Sequence, residues 1–212
     1  MTTAQPQDPD RQGVRSLEVR WILRGELTGA LAGWFGRFPA ETTALKDAHL
    51  LDPYLPGLSV KVRREGRALE VKMYRGSPGL LEVAGRARGR VESWQKWSFP
   101  HGPPSPGSGD PAGWRLVSKR RRISRFTQAT GMRVPQQGDQ PRCAVELTEV
   151  DLRGEHWWTL GFEATGPADA LRRELDAAAA RVFADALPSG VELDIDDSQS
   201  YVQWLCRQPR NG

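Results

Sequence analysis

Little in this chain marks a conventional catalytic centre. Its 212 residues include only 2 Cys and 3 His. Cys143 and Cys206 stand far apart, with no CxxC pair or Cys/His cluster. That argues against a structural zinc site or a disulfide framework and makes a reduced, cytoplasmic protein the expectation. His49, His101 and His156 are isolated from any Ser or Cys in a triad context, so nucleophilic catalysis has no support. The glycines of 76–79 and 85–89 make turns without a strand–GxxxxGK–helix context, so no phosphate loop is assigned. No apolar run is long enough for a membrane span, and the opening MTTAQPQDPDRQG, polar with two prolines, reads as a disordered tail over residues 1–13. Strong charge of one sign is missing too. The balance of 30 Lys plus Arg against 26 Asp plus Glu leaves +4, too modest by itself to mark a nucleic-acid binder.

What is present is charge set in alternation. Basic residues concentrate in 61–75, 86–90 and 119–125, and acids gather towards the C-terminus, as in 192–197. In RSLEVRWILRG, Leu17, Val19, Trp21 and Leu23 share one strand face, and Ser16, Glu18, Arg20 and Ile22 the other. LSVKVR and ALEVKMY read as a hairpin turning at REGR. Lys61 and Arg63 oppose Val60 and Val62, while Glu70, Lys72 and Tyr74 oppose Leu69, Val71 and Met73, so charges can pair across strands. LLEVAGRARGRVESWQKWSF adds one or two strands with a face of Arg88, Arg90, Glu92, Trp94 and Lys96. VSKRRRISRF carries charge on both faces, with Lys119, Arg121, Ile123 and Arg125 on one and Arg120, Arg122, Ser124 and Phe126 on the other. Such a strand is either mostly solvated, its basic residues blunting an exposed edge, or turned with one cationic face toward an anionic ligand. CAVELTEVDLRG opposes Glu146, Thr148 and Val150 to Cys143, Val145 and Leu147. HWWTLGFEATG opposes Trp157, Thr159, Gly161 and Glu163 to Trp158, Leu160 and Phe162.

Helical periodicity is confined to three places. ELTGALAGWFGRF places Leu27, Leu31, Trp34, Phe35 and Phe38 on one stripe, weakened by three glycines. PADALRRELDAAAARVFADAL sets Leu171, Leu175, Ala178, Val182 and Ala186 at helical spacing, with Pro167 at its start. DDSQSYVQWLCRQ is an amphipathic turn or two that Ser198 could cap and Tyr201, Trp204 and Leu205 could dock. HGPPSPGSGDPAG, 101–113, reads as a mobile loop, and 131–141 as a polar connection. One domain over 14–207 is expected, followed by a short tail at 208–212. Its class is α+β: about eight hairpin-linked antiparallel strands closing on themselves, with helices packed outside. If the apolar faces lie under the helices, the charged faces point inward. The interior then holds Lys61, Arg63, Lys72, Arg90, Lys119, Arg121 and Arg125 with Glu18, Glu70, Glu146 and Glu163. Because unpaired buried charge is costly, that cavity needs a polyanion or bound water and ions.

The order of the pieces SLEVR, DAHLLDP to SVKVR, LEVK, VSKRR, VELTE, GFEATG, a long helix and SYVQWL resembles the CYTH superfamily of triphosphate tunnel enzymes over about residues 16–205. The resemblance implies an eight-stranded antiparallel tunnel whose Lys and Arg grip a triphosphate and whose glutamates hold Mg²⁺ or Mn²⁺. Lys61 and Arg63 resemble the family's paired basic residues, Lys72 its lysine after the first hairpin, and Lys119 with Arg121 its K-x-R strand. With Arg20, Arg90 and Arg125 they make up the expected phosphate-binding set, and Glu18, Glu146 and Glu163 resemble the metal-side acids. At the opening E-x-E-x-K signature this chain has Ser16, Glu18 and Arg20, which replaces one metal ligand by a poor donor for a hard cation. Arg for Lys keeps the charge and changes its geometry. Thr148 stands where a second acid is often found. The implied ligand is a small-molecule triphosphate or inorganic polyphosphate. The implied activity is divalent-metal-dependent phosphohydrolysis or, given Ser16 and Thr148, non-catalytic binding. Basic strands turned outward would instead suit RNA or DNA, with Trp94, Trp97, Trp157 and Trp158 near the strip, although such residues usually belong to a core or rim.

Overall fold

The computed structural model describes residues 13–52, 54–63, 68–83, 85–100, 114–127 and 140–209. The tail at 1–12, the REGR turn, the loop at 101–113, most of the 131–141 connection and residues 210–212 lie outside the described residues. In chain order the elements are β1 (Val14–Arg24), α1 (Gly29–Gly36), β2 (Glu41–Leu50), β3 (Leu58–Arg63), β4 (Ala68–Val83), β5 (Ala87–Pro100), β6 (Trp114–Phe126), β7 (Arg142–Leu152), β8 (Glu155–Thr165), α2 (Leu171–Val182), a 3₁₀ turn (Ile195–Asp197) and α3 (Tyr201–Arg207).

The eight strands form one closed antiparallel barrel in the order β1-β5-β4-β3-β2-β6-β7-β8. Closure gives every strand two neighbours, and the period of two then sends alternate residues to the lumen and to the outside. On β1, β7 and β8 the outward residues are apolar: Val19, Trp21, Val145, Leu147, Leu160 and Phe162 form the main core with Leu31 and Phe35 of α1, Leu175, Ala178 and Val182 of α2, and Phe183. Each such side chain, once buried, contributes about 1.5–3 kcal/mol. The end of α2 is held by Arg37, which donates to the Val182 carbonyl, and by Arg86, which donates to the carbonyls of Phe183 and Ala184. These contacts satisfy acceptors that a helix terminus leaves free.

Five features differ from expectation. ETTALKDAHL, unassigned in sequence, is β2, and LLEV continues β4 instead of starting another strand. Helix α1 is only 8 residues long, opened by Thr28, whose hydroxyl accepts from Leu31 N at 3.2 Å. The cap of α3 is Ser200, in a capping box with Gln203, and Ser198 instead accepts a bond from Arg90 N at 2.8 Å. Finally, β1 follows β5 only from Val14↔Lys96 to Glu18↔Glu92, so the far part of the β4–β5 hairpin runs on beyond β1 as an arm. Register shifts at Gly76 and Gly79, both with positive φ, start that arm. Arg90 sits on it with its side chain exposed, so the expected inward role for Arg90 is corrected.

One end of the barrel is stopped. The lumen-facing Ile22, Val117, Val150 and Leu152 form a second apolar cluster with Trp204 and Leu205 of α3. Arg115 fastens the stopper, donating to Leu205 O at 2.9 Å and Pro209 O at 3.1 Å. Among the described residues no helix is long and apolar enough to cross a membrane.

Candidate functional site

Above this apolar floor the lumen turns polar. A recess of about 90 Å³ is lined by seven bases, Arg20, Lys61, Arg63, Lys72, Lys96, Lys119 and Arg121, and by six acids, Glu18, Asp47, Glu70, Glu92, Glu146 and Glu163. Volume of that order holds only a few water molecules, so the side chains must satisfy one another. Strand register makes this feasible: Lys61 lies opposite Glu70, Lys72 opposite Lys96, and Glu18 opposite Glu163.

Beside Tyr201 of α3, Lys119 Nζ lies 2.9 Å from Asp47 Oδ2 and 3.3 Å from His49 Nε2, and 4.2 Å from the centre of the Tyr201 ring. The Arg20 guanidinium lies 4.7 Å from the same ring centre and donates to Thr159 Oγ1 at 3.0 Å and Glu146 Oε2 at 3.3 Å. Arg121 reaches the other oxygen of Glu146 at 3.4 Å. In the middle, Lys72 Nζ lies 2.7 Å from Glu18 Oε1 and 3.3 Å from Glu163 Oε1, and Lys96 Nζ is 3.5 Å from that Glu163 oxygen. On the β3–β4 side, Glu70 receives Lys61 at 3.0 Å and Arg63 at 2.7 Å, and Arg63 also lies 3.4 Å from Asp47.

The protonation states follow from burial set against these neighbours. Burial alone would raise Glu70, yet Lys61 and Arg63 hold its carboxyl at about 2. Burial is likewise overcome at Asp47 by Lys119 and Lys61, at Glu163 by Lys72 and Lys96, and at Glu146 by Arg20 and Arg121, so all three carboxyls lie below their usual range. Burial, reinforced by Arg63, lowers Lys61 to about 8. It also holds His49 well below its ordinary value, with Lys119 and Lys61 adding to the effect, so His49 is neutral. Glu92 is raised, first by burial, and accepts the Trp94 indole N–H at 3.0 Å. With His49 neutral, the recess carries a single excess positive charge before any raised carboxyl is protonated.

Six of the expected phosphate-binding residues, Arg20, Lys61, Arg63, Lys72, Lys119 and Arg121, come together in this recess with Glu18, Glu146 and Glu163. Arg125 lines the wider opening outside it, paired with Glu41 at 2.9 Å. The outward alternative for the basic strand is also corrected. Lys119 and Arg121 face the lumen, and the outer face of β6 retains Arg120 and Arg122, the latter bonded to Glu149 at 3.1 Å. Sequence reasoning missed Asp47, His49, Glu92, Lys96 and Tyr201 as parts of the site. Lys96 had the signal, since it shares strand parity with Glu92 and Trp94.

The acids assigned to a metal do not converge. Glu18 and Glu163 surround Lys72, whereas Glu146 lies between Arg20 and Arg121. Among the described residues no group of three or more His, Cys, Asp or Glu is arranged to hold a metal ion. As arranged, this donor set does not fit Mg²⁺ or Mn²⁺, which require several oxygen ligands free to turn toward one point.

A closed barrel of eight antiparallel strands, with Lys, Arg and Glu alternating into its lumen and helices outside, is the architecture that the CYTH resemblance implies. The chain has the tunnel fold. No family profile matches its sequence, and no curated protein matches it. Among solved structures it is similar to the S. pombe Pct1 RNA triphosphatase in complex with the Spt5 CTD, with a TM-score of 0.40 and 12% identity over 82% of this chain and 78% of that one. It is also similar to the mimivirus capping enzyme triphosphatase, with a TM-score of 0.38 and 12% identity over 80% of this chain and 90% of that one. A second structure of the mimivirus RNA triphosphatase domain gives a TM-score of 0.39 and 11% identity, again over 80% and 90%.

Proposed function

We propose that the barrel receives the triphosphate of a small molecule, or the end of an inorganic polyphosphate, in its lumen. The observation that carries this reading is the placement of Arg63, Lys96, Lys119 and Arg121, which line both the inner recess and the wider opening above it. They come from β3, β5 and β6, so they approach an entering anion from different sides of the lumen. Tetrahedral phosphoryl groups present oxygens in all directions and suit such a surround, with the guanidinium forks of Arg63 and Arg121 able to take two oxygens each.

Titration calorimetry with tripolyphosphate tests the reading, using the parent chain and the Arg63→Ala and Arg121→Ala variants. Saturable binding that weakens about 10- to 100-fold in each variant is expected, from loss of one charge-assisted contact. No binding in the parent, with or without divalent metal, overturns it. Turnover is the finer form of the same proposal. Phosphate release from tripolyphosphate, ATP or thiamine triphosphate, with Mg²⁺, Mn²⁺ or EDTA, separates an enzyme from a binding protein.

A further inference from the structure

We infer that the ammonium group of Lys72 occupies the cation position between Glu18 and Glu163, so that the lumen takes up its polyanion without a divalent metal. The inference builds on the proposed phosphate-binding function, which it deepens by removing the metal from it.

Glu18 and Glu163 are direct register partners on neighbouring strands, and both turn an Oε1 atom toward the Lys72 Nζ, at 2.7 and 3.3 Å. Two carboxylates at this spacing repel unless a cation joins them. Here the cation is covalently part of β4. A third carboxyl, Glu92, is the register partner of Glu18 on β5 and accepts the Trp94 indole N–H, whereas the other close neighbours are donors. The Ser16 hydroxyl, 1% exposed, donates to the same Glu18 oxygen at 2.6 Å, and Lys96 lies 3.5 Å from the same Glu163 oxygen. A carboxylate at position 16 would add an acceptor for a metal. A hydroxyl bonded to Glu18 takes up one of the acceptor sites that remain.

Charge gives the same answer. Over the whole recess, with Glu92 counted among the acids, seven bases already face six acids. A divalent ion added to it would raise that excess from one to three in a water-poor recess, or would have to expel ammonium groups from their partners. Glu146 does not join the cluster, because its two oxygens are held by Arg20 and Arg121.

Uptake of Mn²⁺ by the full chain, followed by loss of the free-ion paramagnetic resonance signal, tests this without reference to any phosphate ligand. The parent is expected to take up no stoichiometric Mn²⁺, and its tripolyphosphate affinity is expected to change less than threefold between EDTA and 1 mM free Mg²⁺, about 0.7 kcal/mol or less. Lys72→Met should expose the two carboxylates and acquire one Mn²⁺ per chain, lost again in Lys72→Met/Glu18→Gln. One equivalent of Mn²⁺ bound by the parent and abolished by Glu18→Gln overturns the inference, as does a folded Lys72→Met variant that takes up none. Should Lys72→Met fail to fold, the parent's own Mn²⁺ titration decides alone. A parent that binds neither Mn²⁺ nor tripolyphosphate removes the phosphate reading while leaving the metal-free cluster intact, so the two failures are distinguishable.

Discussion

Gly161 of β8 leaves the space that the Arg20 guanidinium fills: a Cβ built at Gly161 would lie 2.6 Å from Arg20 Cζ. The glycine is therefore the counterpart of the long arginine on the neighbouring strand, with which it is in direct register. Gly161→Ala should displace Arg20 from Glu146 and Thr159 and destabilise the chain by about 1–3 kcal/mol, as overpacking does. Urea unfolding measures it. In Gly161→Ala/Arg20→Ala the clash is gone, so the two substitutions should be strongly non-additive. Additive losses would show that Arg20 does not depend on that space.

Asp47 should matter more to stability than an ordinary carboxylate. It is 1% exposed and is the partner of Lys119, whose side chain is 4% exposed. Asp47→Ala leaves a buried ammonium without its counter-charge, and breaking such a pair costs about 3–5 kcal/mol. Lys119→Met/Asp47→Leu should recover much of that loss, because both charges then go together. The Asp47 carboxyl is lower in the folded chain than in the unfolded one, so its contribution is present above about pH 4. It is lost as pH falls below that, and acid unfolding of the parent should be steeper than that of the double variant.

Lys61 supplies a pH dependence of opposite sense for binding and for stability. Its folded value of about 8 lies below the ordinary 10.5, so folding favours the neutral amine. The stability contributed by this group therefore rises with pH between about 8 and 10.5. Anion binding favours the ammonium, so tripolyphosphate affinity should fall as pH passes 8, and binding near pH 8 should take up a proton. Calorimetry in buffers of different ionisation enthalpy reads that uptake directly. Lys61→Met should abolish it, and an unchanged uptake would move the titration to another group.

The legible parts of the fold were those where strand parity separates oil from charge. Leu17, Val19 and Trp21 against Glu18 and Arg20, or Leu160 and Phe162 against Glu163, can face only one way when helices cover one side of the sheet. β2 escaped notice because its outward residues Thr42, Ala44 and Lys46 are exposed and small or polar, so no apolar stripe announces a strand. Asp47 and His49 escaped with it. Arg90 followed the parity of Glu92 correctly, but parity says nothing about where a strand leaves the barrel wall. That departure is set by the long β4–β5 pairing and the irregularities at Gly76 and Gly79. The carboxylates themselves were legible as lumen-facing. Their division among Lys72, Arg20 and Arg121 was not, because side-chain reach across strands decides it.

With α3 packed into one end, the barrel has a bottom. On the proposed reading, a ligand that went in would have to come out by the way it entered, and a linear polymer would be gripped by its terminus and not along its middle. Capacity for a long polyphosphate would then scale with the number of chain ends in solution and not with the number of phosphate units. Cyclic phosphates, having no end to offer, would meet only the outer basic residues.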